Sequence, residues 1–286
     1  MNFILVRSDW VAKELIGSIE LNRIYQMDCI EGMRLLPDKS IDMILCDLPY
    51  GMTAQKWDSV IPFNILWEQY ERVIKENGAI LLFGSEPFST KLRMSKFELY
   101  RYDWYWEKSK PGLYQHAKNR PMKAIETISV FSKAKWGHAS QVKNRMKYYP
   151  QGVVSSGEKV VTKNYNAGGT VGERPNQIGR KYESFTGFPN DILRFKNVIG
   201  KNVLHPTQKP VDLCEYLIRT YTNEGEIVLD NCMGSGTTAV AAIRTNRKFI
   251  GFEIEPEYVR IANQRLENVY DEIAGRKLTV ETERER

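Results

Sequence analysis

Two hydrophobic periods alternate along the chain. Short apolar runs occupy residues 24–28, 41–47, 79–84, 102–106, 126–131, 227–230 and 249–253, each of strand length and rich in β-branched or aromatic side chains. Between them lie stretches with the 3.6-residue repeat of a one-sided helix. Residues 62–76 place Ile65, Leu66, Tyr70, Val73 and Ile74 on one stripe, and the Asn77-Gly78 that follows is a stop signal. Residues 209–221, 237–245 and 256–273 repeat the pattern, and 279–286 form a charged tail that need not be ordered. Strands alternating with helices predict an α/β unit whose mainly parallel sheet is covered by helices.

The periodicity lapses between residues 133 and 201. This stretch holds thirteen Lys or Arg against four acids, a net +9, whereas the whole chain carries +6. Glycines recur through it, and Trp136, Tyr148, Tyr149, Tyr165, Tyr182, Phe185, Phe188 and Phe195 are interleaved with the cations. It reads as a basic, loop-rich insertion. Positive charge mixed with aromatic rings suits a surface that neutralises phosphates and packs against bases, with Lys143, Arg145, Lys147, Arg180 and Lys181 as candidate phosphate or base contacts to a nucleic acid. The resulting division is 1–132, 133–201 as the insertion, 202–275, and a tail at 276–286.

Composition excludes several classes. With 42% hydrophobic and 27% charged residues in 286, the chain is neither disordered nor membrane-spanning, and no apolar run approaches the roughly 20 residues a membrane helix needs. The N-terminus lacks the basic flank and small-residue cleavage pattern of a secretory signal, so a cytoplasmic location is expected. Cys29, Cys46, Cys214 and Cys232 form no C-x-x-C pair, and three histidines show no ligand spacing, which argues against a disulfide framework or a metal.

Two loops can carry chemistry. The run at 41–47 ends on an acid and continues as Asp47-Leu48-Pro49-Tyr50. At the carboxyl end of a strand in an open α/β sheet, an acid, a backbone carbonyl and a flat ring would suit a planar group bearing an amino donor. The second loop, Asp230-Asn-Cys232-Met-Gly234-Ser235-Gly236-Thr237, passes from strand to helix, and Glu253 follows about 20 residues later, where a carboxylate accepts from ribose hydroxyls. It lacks the third glycine of a nicotinamide fingerprint and the Gly-Lys-Ser/Thr of a phosphate loop. A nucleoside with a small anionic end fits it better.

In this order, Asp47-Leu-Pro-Tyr50, then the basic segment, then Asp230 and Gly234-Ser-Gly236, the chain resembles the DNA amino-methyltransferases (adenine-N6 / cytosine-N4 family), in their circularly permuted beta group. His205-Pro-Thr-Gln-Lys209-Pro210 and Tyr25-Gln-Met-Asp28-Cys29 are similar to further segments of that group. The resemblance implies a Rossmann-like methyltransferase fold with helices on both faces of the sheet, S-adenosylmethionine as coenzyme, and DNA as partner with no membrane. Asp47 and the Leu48 carbonyl would accept from the target amine, Pro49 would stiffen the turn, and Tyr50 would stack on a flipped base. Asp230, Gly234 and Gly236, with Cys232, Ser235 and Thr237 of the same loop, would bind the methionine end. Glu253 would take the ribose, Asp28 and Cys29 would flank the adenine, and Thr207 and Lys209 would hold the methionine carboxylate.

The sequence departs from the family at Leu48, where a second proline is usual. Asp rather than Ser at the first position resembles adenine-N6 enzymes. A cytosine-N4 enzyme, an RNA or protein-glutamine methylase, a DNA-binding protein without activity and a nicotinamide oxidoreductase remain alternatives. The sequence leaves open a homodimer, a cognate restriction nuclease and the recognition site.

Overall fold

The computed structural model describes residues 13–51, 58–135, 145–162, 178–200, 204 and 208–284, with side chains described as far as Gly275. Strand β4 (Ile41–Cys46) sets the architecture, because all six of its residues, Ile-Asp-Met-Ile-Leu-Cys, are buried. A strand without in-and-out alternation belongs in the middle of a sheet covered on both sides. That sheet has eight strands in the order β10 (Ile192–Phe195), β6 (Tyr100–Gly112), β7 (Lys123–Phe131), β5 (Ile74–Gly84), β4, β11 (Ile227–Asp230), β12 (Lys248–Glu253) and β3 (Arg23–Gln26). Neighbours run parallel except at β7, which is antiparallel to both β5 and β6. The reversal places the first residues of β7 at the edge where the other strands end.

Successive residues of the strands serve opposite faces. Met43, Leu45, Leu81, Phe83 and Val228 pack with α4 (Val211–Tyr221), α5 (Thr237–Arg244) and α6 (Pro256–Arg284). Ile44, Cys46, Ile80, Leu82 and Leu229 pack with α1 (Cys29–Arg34), α2 (Phe63–Val73) and α3 (Phe88–Ser95). The expected α/β fold with helices on both faces is therefore present. A short hairpin, β1 (Leu15–Ile16) with β2 (Ile19–Glu20), precedes β3.

Several boundaries differ from the sequence expectation. The helix expected over 62–76 stops at Val73; Ile74 is extended and opens β5 by pairing with Ile41. Asn77-Gly78 thus lies within a strand, at the register shift between Ile41 and Met43. A Cβ on Gly78 would stand 2.8 Å from the Asp42 carbonyl oxygen, so close backbone approach explains this glycine. The charged tail from 279 is helical as far as Arg284, continuing α6, as its Glu and Arg content favours.

The chain divides into two compact units, Met1–Tyr149 with Asp191–Arg286, and Pro150–Asn190. The insertion is narrower than 133–201, because residues 145–149 belong to the first unit and β10 is an edge strand of the main sheet. Nor is the second unit wholly irregular. It contains β8 (Val154–Val160) paired antiparallel with β9 (Lys181–Thr186). Among the described residues no helix is long and apolar enough to cross a membrane.

Candidate active site

Four adjacent strands end in acids at one edge of the sheet: Asp47 after β4, Asp230 at the end of β11, Glu253 at the end of β12, and Asp28 two residues past β3. They line one cavity of about 460 Å³, together with Cys29, Leu48, Pro49, Tyr50, Lys209, Cys232, Gly234, Ser235 and Thr237. The sequence-derived catalytic and coenzyme residues among the described positions converge here, apart from Gly236, which does not line the cavity. Thr207 lies outside the described residues.

Each acid has a local task. Asp28 caps α1, its Oδ1 accepting from the backbone N–H of Ile30 at 2.9 Å and Glu31 at 3.2 Å. Glu253 braces the glycine loop: Oε2 accepts from Gly234 N–H at 2.7 Å and Oε1 from Glu255 N–H at 2.9 Å. Burial raises the Glu253 carboxyl above the usual range despite these donors. Asp230 accepts from Cys232 N–H at 3.1 Å. Burial pushes its carboxyl up to about 7, outweighing hydrogen bonds from Thr238, Cys232 and Cys46, and the Asp47 charge adds to the rise.

The loop between Asp230 and α5 is shaped from behind. Gly236 has φ +80°, and a Cβ there would approach the Ala262 Cβ to 2.8 Å, so both conformation and space require glycine. Arg265 of α6 donates to the Ser235 carbonyl at 2.6 Å, to Ser235 Oγ at 3.1 Å and to Thr237 Oγ1 at 3.2 Å. The hydroxyls of Ser235 and Thr237 therefore serve Arg265. Arg265 itself carries no sequence signal beyond its place in a helical repeat.

The Asp47 turn is held by charge. Tyr50 Oη donates to Asp47 Oδ1 at 2.6 Å, and its ring stacks on Phe88 with centroids 4.8 Å apart and an interplanar angle of 29°. Lys209 Nζ contacts Asp47 Oδ2 at 2.5 Å and Glu126 Oε1 at 3.0 Å. Glu126 Oε2 meets Lys108 Nζ at 2.6 Å, and its Oε1 lies 3.4 Å from Tyr50 Oη. Burial opposes ionisation of Glu126, yet Lys209 and Lys108 together draw its carboxyl down to about 2. Burial likewise works against the Lys209 ammonium, and Asp47 and Glu126 overcome it and raise its pKa.

The ammonium of Lys209, expected to hold the methionine carboxylate, is paired in this structure with two carboxylates of the protein, one from the catalytic turn and one from β7. Glu126, Lys108 and Phe88 are new to the site. For Glu126 a signal existed: it is the one charged residue in the apolar run 126–131, and an acid inside a buried strand needs a cationic partner.

Lys147 requires a correction. It contacts Asp42 at 2.9 Å and Glu226 at 2.5 Å, is 13% exposed, and lies by the starts of β4 and β11, at the edge opposite the cavity. Half-buried, its ammonium is already paired with two acids, which argues against a phosphate contact. Arg145 is half-buried in the same unit, bridged through its backbone to Lys135. Arg180 and Lys181 lie on exposed backbone at the start of β9, where Lys181 pairs with Glu158 at 2.9 Å. Lys143 lies outside the described residues.

The N6/N4 DNA methylase family model matches residues 41–264. The chain is 32% identical over 260 residues to the type II methyltransferase M1.MboII of Moraxella bovis, covering 86% of this chain and 96% of that one. It is 30% identical over 249 residues to the orphan methyltransferase M.BamHII of Bacillus amyloliquefaciens, covering 81% and 90%. Among solved structures, the M1.HpyAVI complex with S-adenosylmethionine superposes with a TM-score of 0.55 at 26% identity over 85% of this chain and 98% of that one. The PvuII cytosine-N4 DNA methyltransferase shares the fold, with a TM-score of 0.56 at 18% identity over 87% and 91%. The cavity suits that coenzyme, since three of its acids, Asp28, Asp230 and Glu253, offer acceptors to hydroxyl and ammonium groups beside a glycine-shaped wall. Sheet order, acids at four strand ends and a family match across most of the chain agree: this protein belongs to the N6/N4 DNA methylase family, whose members use S-adenosylmethionine to methylate amino groups of DNA bases.

Proposed function

We propose that the chain methylates the N6 amino group of adenine in DNA, on a nucleotide swung out of the duplex. The observation that carries this reading is the Asp47 carboxylate, fixed by Tyr50 and Lys209 at the mouth of the coenzyme cavity. An exocyclic amine is a weak nucleophile because its lone pair is delocalised into the ring. Asp47 retains acceptor capacity beyond its two present partners, and the Leu48 carbonyl supplies a further acceptor. Two acceptors aimed at the amine protons favour a pyramidal nitrogen with its lone pair exposed. S-adenosylmethionine supplies the electrophilic methyl group. Tyr50, backed by Phe88 on one ring face, offers the base a stacking partner that offsets part of the few kcal/mol of unstacking. Adenine is favoured over cytosine by the acid at the first position of the turn.

Coenzyme contacts follow from the same reading: Asp230 and the backbone from Cys232 to Thr237 at the methionine end, Glu253 at the ribose, Asp28 and Cys29 at the adenine. Arg180 and Lys181 contact DNA. The type II name of one relative supports a role beside a restriction nuclease, whereas another relative is named an orphan.

Incubation with S-adenosylmethionine and unmethylated DNA, followed by nucleoside mass spectrometry, tests the reaction. N6-methyladenine should form with the intact protein and fall at least about 100-fold in Asp47→Ala at saturating coenzyme. N4-methylcytosine instead would move the target to the other base of the family. Undiminished methylation by Asp47→Ala would overturn the catalytic assignment.

A further inference from the structure

The buried charges around Asp47 exceed what positioning one carboxylate requires. Lys209 would suffice to hold Asp47, yet Glu126 faces the same ammonium from β7 and Lys108 faces Glu126 from β6. The Glu126 and Lys209 side chains are 6% and 8% exposed, so water screens them little. These two acids and two lysines balance one another, and Lys123 stands near enough to feel Glu126, Lys108 and Lys209. Of the four, only Asp47 and Lys209 line the cavity.

The balance matters because the coenzyme brings a sulfonium cation to this cavity, and that charge leaves sulfur as the methyl group transfers. An unpaired Asp47 would attract the sulfonium most strongly in the reactant state, which stabilises what should react. A lone Lys209 would prevent that and would repel the coenzyme instead. Glu126 cancels this repulsion from outside the cavity while leaving the Lys209–Asp47 contact in place.

We propose that Glu126 and Lys209 form a positioning pair that fixes Asp47 for the target amine and balances the charge that the Asp47 turn presents to a sulfonium. The proposal rests on the reading of Asp47 given above, but its charge component can be measured without turnover. S-adenosylmethionine and S-adenosylhomocysteine differ by the methyl group and its positive charge. The ratio of their dissociation constants, measured by calorimetry on one preparation of the full chain, reports the potential at the sulfur and is insensitive to a reduced folded fraction.

In Glu126→Gln the uncompensated lysine should weaken the sulfonium ligand relative to the thioether by roughly tenfold or more, as expected for a unit charge within about 12 Å at an effective dielectric near 20. In Lys209→Met the ratio should move the other way. The double variant Glu126→Gln/Lys209→Met should return it to within about twofold of the starting value and should turn over faster than Lys209→Met alone. Ratios unchanged in both single variants, or additive losses without recovery in the double, would overturn the pair. A protein that shows these ratio shifts but methylates no nucleic acid would retain the charge compensation and lose the proposed reaction.

Discussion

Asp230 is buried at the end of β11, and its carboxyl is pushed up to about 7. A protonated Asp230 is a poor partner for the methionine ammonium assigned to this end of the cavity, so coenzyme binding should draw the proton off. Affinity for S-adenosylmethionine should therefore rise through pH 7, by roughly tenfold between pH 6 and pH 8, and Asp230→Asn should bind weakly with a flat profile. Calorimetric titration across that range checks it; equal slopes in both proteins would remove Asp230 from the contact. Without coenzyme the linkage runs oppositely. A carboxyl raised from 3.8 to about 7 contributes stability that is fully present below 3.8 and lost as pH rises through about 7. Asp47, Asp230 and Glu253 were legible in the sequence because each closes an apolar run beside a turn or glycine, a local signal. The partners of Lys209 were not legible, since its contact with Asp47 spans 162 positions and depends on strand order that no local pattern contains.

At the scale of elements, β4 carries the same lesson in its second residue. Asp42 is buried within an apolar strand and is held by Lys75 at 2.8 Å, Lys147 at 2.9 Å and the Ile227 N–H at 3.1 Å. Burial opposes its charge, but the two lysines and the backbone donor lower its pKa below the ordinary value. Its contribution is therefore present above the unfolded carboxylate pKa and is lost on acidification below it. Lys147→Met should lower stability by about 1–3 kcal/mol at pH 7, less than for a pair stripped of its only partner because Lys75 remains. Chemical denaturation measures this, and the salt dependence of DNA binding should be unaffected. A shallower salt slope would restore Lys147 to the DNA contacts. Seven of the eight strands of the main sheet and the helices α2, α4, α5 and α6 were readable from periodicity, whereas α1, with six residues, is too short to show it. The end of α2 was misplaced because Ile74 fits a helical stripe and a sheet equally well, and only its pairing with Ile41 decides.

At the scale of the whole molecule, the two units differ in what holds them together. The first has two apolar layers, one on each face of an eight-stranded sheet. In the second, the described strands β8 and β9 expose nearly every residue, including Val154, Val160, Tyr182 and Phe185, and Gly157 at φ +86° sits where their register shifts. A two-stranded ribbon that buries so little is marginally stable in water. Charge and aromatic content mark this region in the sequence, but its pairing is not legible there because no alternation marks a ribbon exposed on both faces. If Arg180 and Lys181 bind phosphates, DNA should supply what the ribbon lacks. Amide hydrogens of β8 and β9 should exchange quickly in the free protein and slow at least about tenfold with DNA bound, while those of β4 and β11 stay protected in both states. Arg180→Ala and Lys181→Ala should each reduce the slope of log affinity against log salt by about one, with the exposed Lys181–Glu158 pair contributing little to stability. Ribbon amides already protected without DNA, together with unchanged slopes, would show that this unit is a rigid appendage and that the DNA contacts lie on the sheet unit instead.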